Sequence, residues 1–538
     1  MKIRKILMNI LLISLLIFSL ILYSPNIIAN PESVSLYRGA PVKYIFLFIG
    51  DGMGFNHVHL TEIFLGAMSG KKDPSIQKLS FTQFPEAGYM STYAADTYIT
   101  DSASAITAML AGKKTSDGVI NMDPDKKIKY KSVFEMAKEL GRKVGVITSV
   151  SIDHATPAGC YAHQPSRSNY YEIALELANS NFDFFGGGGF LQPKGRDGRS
   201  KDIIEILKEK GYKVVDKAEE IMALKPGVGK VVAINPVLDS SKAMPYAINR
   251  LRGINVGLSL ADFVKKGIEL LDNPNGFIMM VEGGKIDWAS HANDAGSVIH
   301  DILDFDKAVK VALEFYRKRP SDTLIIVTAD HETGGLSLGY AGTRYELYTQ
   351  LLSKQKISFD EFSKIVAEYR EKTQGKGKLE DLLTVVKEFY GLEVLDESSK
   401  KILEEKSKQG DIDSKIRLML SLTKEELEEL NKAFNLSMLA PKDRPSDVRT
   451  YLLYGGYEPF VMMVTRILNQ KAGVSWTSYA HTSALVPIYA IGRGAYIFKN
   501  YFDNTDLYKK LCSLLGLDPY KDNVISQEYS LKVLVSTK

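Results

Sequence analysis

The chain has 538 residues, 45% of them hydrophobic and 25% charged. That balance supplies a large globular core and excludes a disordered or fibrous protein. The formal net charge of +4 gives no sign of a nucleic-acid interface, which needs a concentrated basic patch. Two cysteines, Cys160 and Cys512, exclude a disulfide-built scaffold and a thiolate metal site. They read as two buried thiols, with a single disulfide between them as the alternative.

Lys2, Arg4 and Lys5 form a positive head, followed by a nearly unbroken apolar run from Ile6 to Tyr23. This is the pattern of a secretory signal peptide, with cleavage near Ala29. The run is also long enough for an uncleaved membrane tether. Residues 1–29 are therefore set apart as signal peptide or N-terminal anchor. The expected location is extracellular, periplasmic or at the cell surface.

From Lys43 onward, short apolar runs alternate with amphipathic segments. The runs fall at 44–50, 143–150, 276–284, 323–332 and 484–492. Val- and Ile-rich runs separated by helical patterns predict an α/β fold, with a mostly parallel central sheet and helices on both faces. Helical periodicity marks 130–141, 202–211 and 298–316. Between 341 and 450 there is no strong strand run, and FDEFSKIVAEYREK, KLEDLLTVVKEFYG, SKIRLMLSL and LTKEELEELNKAF read as amphipathic helices. Thr423 is the expected N-cap of the last, with Glu426 three residues later. The expectation is a mainly helical insertion, 341–450, dividing the α/β unit into 36–340 and 451–538.

In open α/β sheets, ligands bind outside the carboxyl ends of the strands. Here those ends carry Asp51; Asp153, His154 and Thr156; Glu282, Asp287 and His291; and Asp330 with His331. His481 stands just before the last run. Asp, Glu and His clustered at one edge suit zinc and magnesium. The chain has only eight histidines, and four of them fall at these positions. His57, His59, His163 and His300 read as structural. Ser102 opens the small-residue segment SASAITAMLAG after Asp101. A serine there faces backbone N–H groups and the positive end of a helix dipole, a good place for an attacking oxygen and a phosphate. From position alone, an ordinary Asp or Ser N-cap accounts for it better.

Taken together, Asp51-Gly52-Met53-Gly54, Asp101-Ser102-Ala103, His154-Ala155-Thr156-Pro157-Ala158-Gly159, Val281-Glu282-Gly283-Gly284-Lys285-Ile286-Asp287, Thr328-Ala329-Asp330-His331-Glu332 and Ala480-His481-Thr482 resemble the motifs of alkaline phosphatases, in the family's order. The resemblance implies an alkaline phosphatase-like fold. It also implies hydrolysis of phosphate monoesters to alcohol and phosphate through a phosphoserine intermediate on Ser102. Asp287, His291 and His481 match the ligands of a first zinc. Asp51, Asp330 and His331, with the Ser102 oxygen, match those of a second. Asp51, Thr156 and Glu282 match a third site, usually magnesium, with cobalt or a third zinc as alternatives. Arg167 matches the arginine that grips phosphate. His154 and Trp288 stand where other members carry Asp, and Lys or His; with Asp101 they are expected to tune the site. The resemblance further implies a homodimer acting on small phosphate monoesters. The competing readings are a phosphodiesterase or sulfatase of the same superfamily, although His163 occupies the position of the sulfatase nucleophile, and a metal- or phosphate-binding protein without turnover.

Overall fold

Every residue of Tyr44–Ile49 is buried, and this run lies at the middle of the sheet in the computed structural model, which describes residues 34–70 and 74–525. The positive head, the apolar run and the cleavage point lie outside the described residues. Among the described residues, no helix is long and apolar enough to cross a membrane.

The strands in chain order are β1 (Tyr44–Ile49), β2 (Glu86–Ser91), β3 (Lys143–Thr148), β4 (Phe184–Gly187), β5 (Tyr212–Val215), β6 (Lys230–Ile234), β7 (Phe277–Glu282) and β8 (Thr323–Thr328). The two-residue strands β9 (Glu332–Thr333), β10 (Ser337–Leu338), β11 (Val474–Ser475) and β12 (His481–Thr482) follow, then β13 (Val486–Gly492) and β14 (Asn500–Asp503). Ten of them form one sheet in the order β14-β2-β13-β8-β1-β7-β3-β4-β6-β5. The fold is α/β, a large, mostly parallel open sheet with many helices, as the alternation of runs predicts.

The register sets the site. β1 pairs in parallel with β7 and β8, so Ile49, Glu282 and Thr328 end at one level, and β3 places Thr148 beside Glu282. The buried rings of Phe46, Phe277 and Phe315 pack edge-on or tilted beneath this centre. Each fully buried apolar side chain of this size contributes about 1.5–3 kcal/mol. β13 departs from the parallel pattern, running antiparallel to both β8 and β2. That reversal matters, because the residues before β13 then emerge at the edge where the parallel strands end. His481 is delivered there within β12, which pairs with β9 (His481 opposite Thr333).

Helices α1 (Phe55–Met68), α2 (Ser102–Ala111), α3 (Gly284–His291) and α4 (Ala295–Lys318) flank the sheet and its carboxyl edge. Between β10 and β11 the chain is helical and includes α5 (Phe359–Lys372), α6 (Leu379–Tyr390), α7 (Lys424–Met438) and α8 (Pro459–Lys471). Thr423 and Glu426 form a reciprocal capping box at the start of α7. Phe362, Tyr390, Phe434 and Phe460 build a second core, which Leu60 and Phe64 of α1 and Ala295 and Ile299 of α4 complete. Cys160 and Cys512 are buried and unpaired.

Candidate active site

Ser102 is the first residue of α2. Asp101 caps this helix, its carboxylate accepting from the Ser104 backbone N–H at 2.9 Å. Small residues fill the helix and all ten are buried, so the segment packs against the core while its N-terminus faces the sheet edge. The Ser102 hydroxyl oxygen is 3.2 Å from His331 Nε2. Arg167 donates from Nη1 to Asp101 at 2.9 Å, and its Nη2 lies 3.3 Å from His154 Nε2.

Three groups of ligand atoms surround this serine: Asp287, His291 and His481; Asp51, Asp330 and His331; and Asp51, His154 and Glu282. Within each group the atoms lie within 4.8 Å of one another. Asp287 and His291 are four residues apart on α3 and so share one helix face; His291 Nε2 is 3.3 Å from Asp287 Oδ2. His331 Nε2 sits 3.4 Å from Asp51 and 3.3 Å from Asp330. Thr156 stands beside the third group, 3.3 Å from Asp51 Oδ2. His154, to which the sequence assigned only tuning, is itself within reach there. Trp288 meets His154 edge-on with ring centroids 5.8 Å apart, and Lys285 Nζ lies 4.6 Å from the centroid of the Trp288 ring. Every site residue read from the sequence is thus gathered at one edge of the sheet.

The donor set fits cations. His291 donates its Nδ1 hydrogen to the Tyr479 carbonyl at 2.6 Å, and His481 donates its own to the Thr100 carbonyl at 2.8 Å. A carbonyl only accepts, so in the neutral tautomers both Nε2 atoms carry lone pairs. Those two atoms lie 3.1 Å apart; a cation between them would satisfy both, as would a proton on His291, whose imidazole burial opposes but Asp287 raises to about 9. Asp51 Oδ1, Asp330 Oδ2, Glu282 Oε1 and His154 Nδ1 are buried with no hydrogen-bond partner, a costly state that a metal would relieve.

The electrostatics agree. Burial, followed by the neighbouring carboxylates, pushes Asp51 well above the usual range and Asp330 up to about 8; burial raises Glu282 to about 7. Burial also opposes the charge of Asp287, but His291, His481 and His331 outweigh it and hold that carboxyl well below the usual range. Burial and Arg167 lower His154 to about 3, which leaves its imidazole neutral. Gly52, at φ +71°, makes the turn after β1 fit: a Cβ there would meet Thr333 Oγ1 at 2.7 Å and Asp287 Oδ1 at 3.0 Å.

Several contacts behind these residues were given no role by the sequence. Thr333 donates to Asp287 at 2.5 Å, Thr148 donates to Glu282, and Glu332 accepts from Thr482. The carbonyls of Tyr479 and Thr100 orient two histidines. The signals available were that Glu332 and Thr482 directly follow His331 and His481 within their motifs and that Thr333 comes one residue later. Of the histidines read as structural, His57 is fully buried on α1. His163 is held between Glu135 at 3.1 Å and Glu176 at 3.0 Å.

Such an edge marks a cation-assisted α/β hydrolase. A sequence model of the alkaline phosphatase family matches residues 42–410. The chain is 30% identical over 483 residues to alkaline phosphatase 3 of Bacillus subtilis, covering 88% of this chain and 89% of that one. Among solved structures, the cold-active alkaline phosphatase of a psychrophilic Shewanella sp. superposes with a TM-score of 0.68 at 26% identity, covering 88% of this chain and 99% of its own. The alkaline phosphatase of Thermus thermophilus shares the fold with a TM-score of 0.72 at 24% identity, covering 96% and 98%. The chain belongs to the alkaline phosphatase family, and its activity is hydrolysis of phosphate monoesters.

Proposed function

We propose that the chain hydrolyses small phosphate monoesters in two displacements, with Ser102 as the nucleophile and a phosphoserine intermediate. The observation that carries this reading is the Ser102 hydroxyl at a helix N-terminus, 3.2 Å from His331 Nε2 and beside two carboxylate–imidazole groups and an arginine. Asp287, His291 and His481 would hold one zinc; Asp51, Asp330 and His331, with the serine oxygen, a second; and Asp51, Glu282 and Thr156, with His154 in reach, a magnesium. A His-to-Asp mutant of the alkaline phosphatase from the Antarctic bacterium TAB5 is described with Mg bound. The cations would supply Lewis-acid stabilisation of the attacking and leaving oxygens and lower the serine hydroxyl pKa.

The chain's own residues position the rest. The N-terminus of α2 presents its positive end to the phosphoryl group. Arg167, held in plane by Asp101, offers paired donors to the equatorial oxygens. The serine oxygen forms the new P–O bond as the bond to the alcohol oxygen breaks. A water then attacks phosphorus, restoring the serine hydroxyl and releasing inorganic phosphate. The N-terminal pattern of Lys2, Arg4, Lys5 and the following apolar run supports export, with cleavage or a membrane tether, and the family resemblance supports a homodimer.

The test is the ratio of rates on nitrophenyl phosphate and bis(nitrophenyl) phosphate with the zinc- and magnesium-loaded protein. A strong monoester preference is expected. A diester preference would contradict the reading.

A further inference from the structure

Glu332 lies one residue beyond His331 and makes no contact with the ligand groups themselves. It is buried, with 5% of its surface exposed, in a fold where a carboxylate is costly unless every oxygen is used. Its oxygens are used. Oε1 accepts from the Leu336 backbone N–H at 3.1 Å, and Oε2 from the Gly335 N–H at 3.2 Å. Oε2 also accepts from the Thr482 hydroxyl. Thr482 is the neighbour of His481 and stands opposite Glu332 in the β9–β12 ladder.

The same side chain is pressed against a third segment. A Cβ on Gly54 would come within 2.4 Å of Glu332 Cγ, and Gly54 closes the turn that begins at Asp51. Glu332 therefore stands where three ligand-bearing segments converge: the turn after Asp51, the strand end carrying His331, and the short strand carrying His481. The two-residue β9–β12 ladder is too short to fix their separation by its backbone bonds alone. Yet the rings of His331 and His481 are held 3.6 Å apart at 19°, although they belong to different ligand groups and are separated by the whole helical insertion in sequence.

We propose that Glu332 is a positioning residue: through Thr482 and the Gly335–Leu336 amides it sets the distance and mutual orientation of His331 and His481, and so the geometry between the two proposed zinc positions. The inference rests on the metal assignment above. Outer-shell partners of this kind are worth about 10- to 100-fold in metal affinity. His331 is also held by Thr333 at 3.2 Å and His481 by the Thr100 carbonyl at 2.8 Å, so removing Glu332 changes how the two rings face each other rather than freeing either one.

The experiment titrates the full-length, metal-stripped protein with zinc and, separately, with cobalt. Affinity is read by calorimetry and coordination by the visible cobalt spectrum. The variants are Glu332→Ala, Glu332→Gln and Thr482→Val. The last removes one hydroxyl while keeping shape and strand propensity, so it stays informative if Glu332→Ala does not fold. The expected result is that Thr482→Val and Glu332→Ala weaken one zinc site by about tenfold or more and alter the cobalt spectrum. Glu332→Gln, which keeps an acceptor for the amides, should fall between wild type and Ala. Zinc affinities and cobalt spectra unchanged from wild type in Thr482→Val and Glu332→Gln would overturn the inference. Wild-type protein that binds no zinc would instead overturn the metal assignment on which it rests.

Discussion

Asp101 and Arg167 are joined by a 2.9 Å charge-assisted hydrogen bond, and the same carboxylate caps the helix that Ser102 opens. One side chain thus fixes both the proposed nucleophile and the arginine proposed to grip phosphate. The Asp101 carboxyl is held below its usual range: burial opposes its charge, and Arg167 and the Ser104 amide outweigh burial.

Asp101→Ala should therefore act twice. Losing the cap costs about 1 kcal/mol of stability. Arg167 keeps its charge but loses the partner that sets the plane of its fork, and for a bidentate grip orientation outweighs the charge gained. Inhibition by inorganic phosphate should weaken on the order of tenfold. Thermal melts and phosphate inhibition constants check both effects, and tighter phosphate binding would contradict the argument.

Much of this site could be read from the sequence because each strand end hands over its ligand at once: Asp51 after β1, Glu282 at the end of β7, Asp330 and His331 after β8. The spacing of Asp287 and His291 already places them on one helix face. What could not be read depends on register. β2, β5 and β14 are short or partly exposed strands without the apolar run that marks β1 or β8. The contacts of Thr148, Thr333 and Glu332 arise only once separate segments are paired. His163 looked like a lone structural histidine because its partners, Glu135 and Glu176, lie on two separate helices that only the fold brings to it.

Metal removal should invert the pH dependence of stability. Without cations, Asp330 titrates at about 8 and Glu282 at about 7, against ordinary values of 3.8 and 4.5. Between those limits the folded state holds protons that the unfolded chain has released. The stability they contribute is present below the ordinary values and is lost as pH rises through about 7 to 8. Above about pH 6.5, where the lowered His154 and His331 no longer pull the other way, the stripped protein should melt at progressively lower temperature up to about pH 9, whereas the loaded protein, whose ligands must be deprotonated, gains metal affinity over the same range. Parallel melting curves for the two forms would contradict this.

His163 provides a second, separate pH term. Burial opposes its charge, but Glu135 and Glu176 outweigh it and raise the imidazole from 6.5 to about 10. The folded value is the higher one, so the stabilisation is complete below pH 6.5 and is lost as pH rises through about 10. His163→Gln should cost about 3 kcal/mol near neutral pH, and the gap from wild type should narrow as pH approaches 10. Chemical denaturation across that range measures it.

The most direct measurement is hydrolysis of nitrophenyl phosphate by the wild-type chain and by Ser102→Ala, each metal-stripped and then loaded with zinc and magnesium. Activity is expected only in the loaded wild type, with a loss of about three orders of magnitude or more in the variant and covalent phosphate recoverable on wild-type Ser102 at acid quench. Full activity in Ser102→Ala, or undiminished turnover without metal, would contradict it.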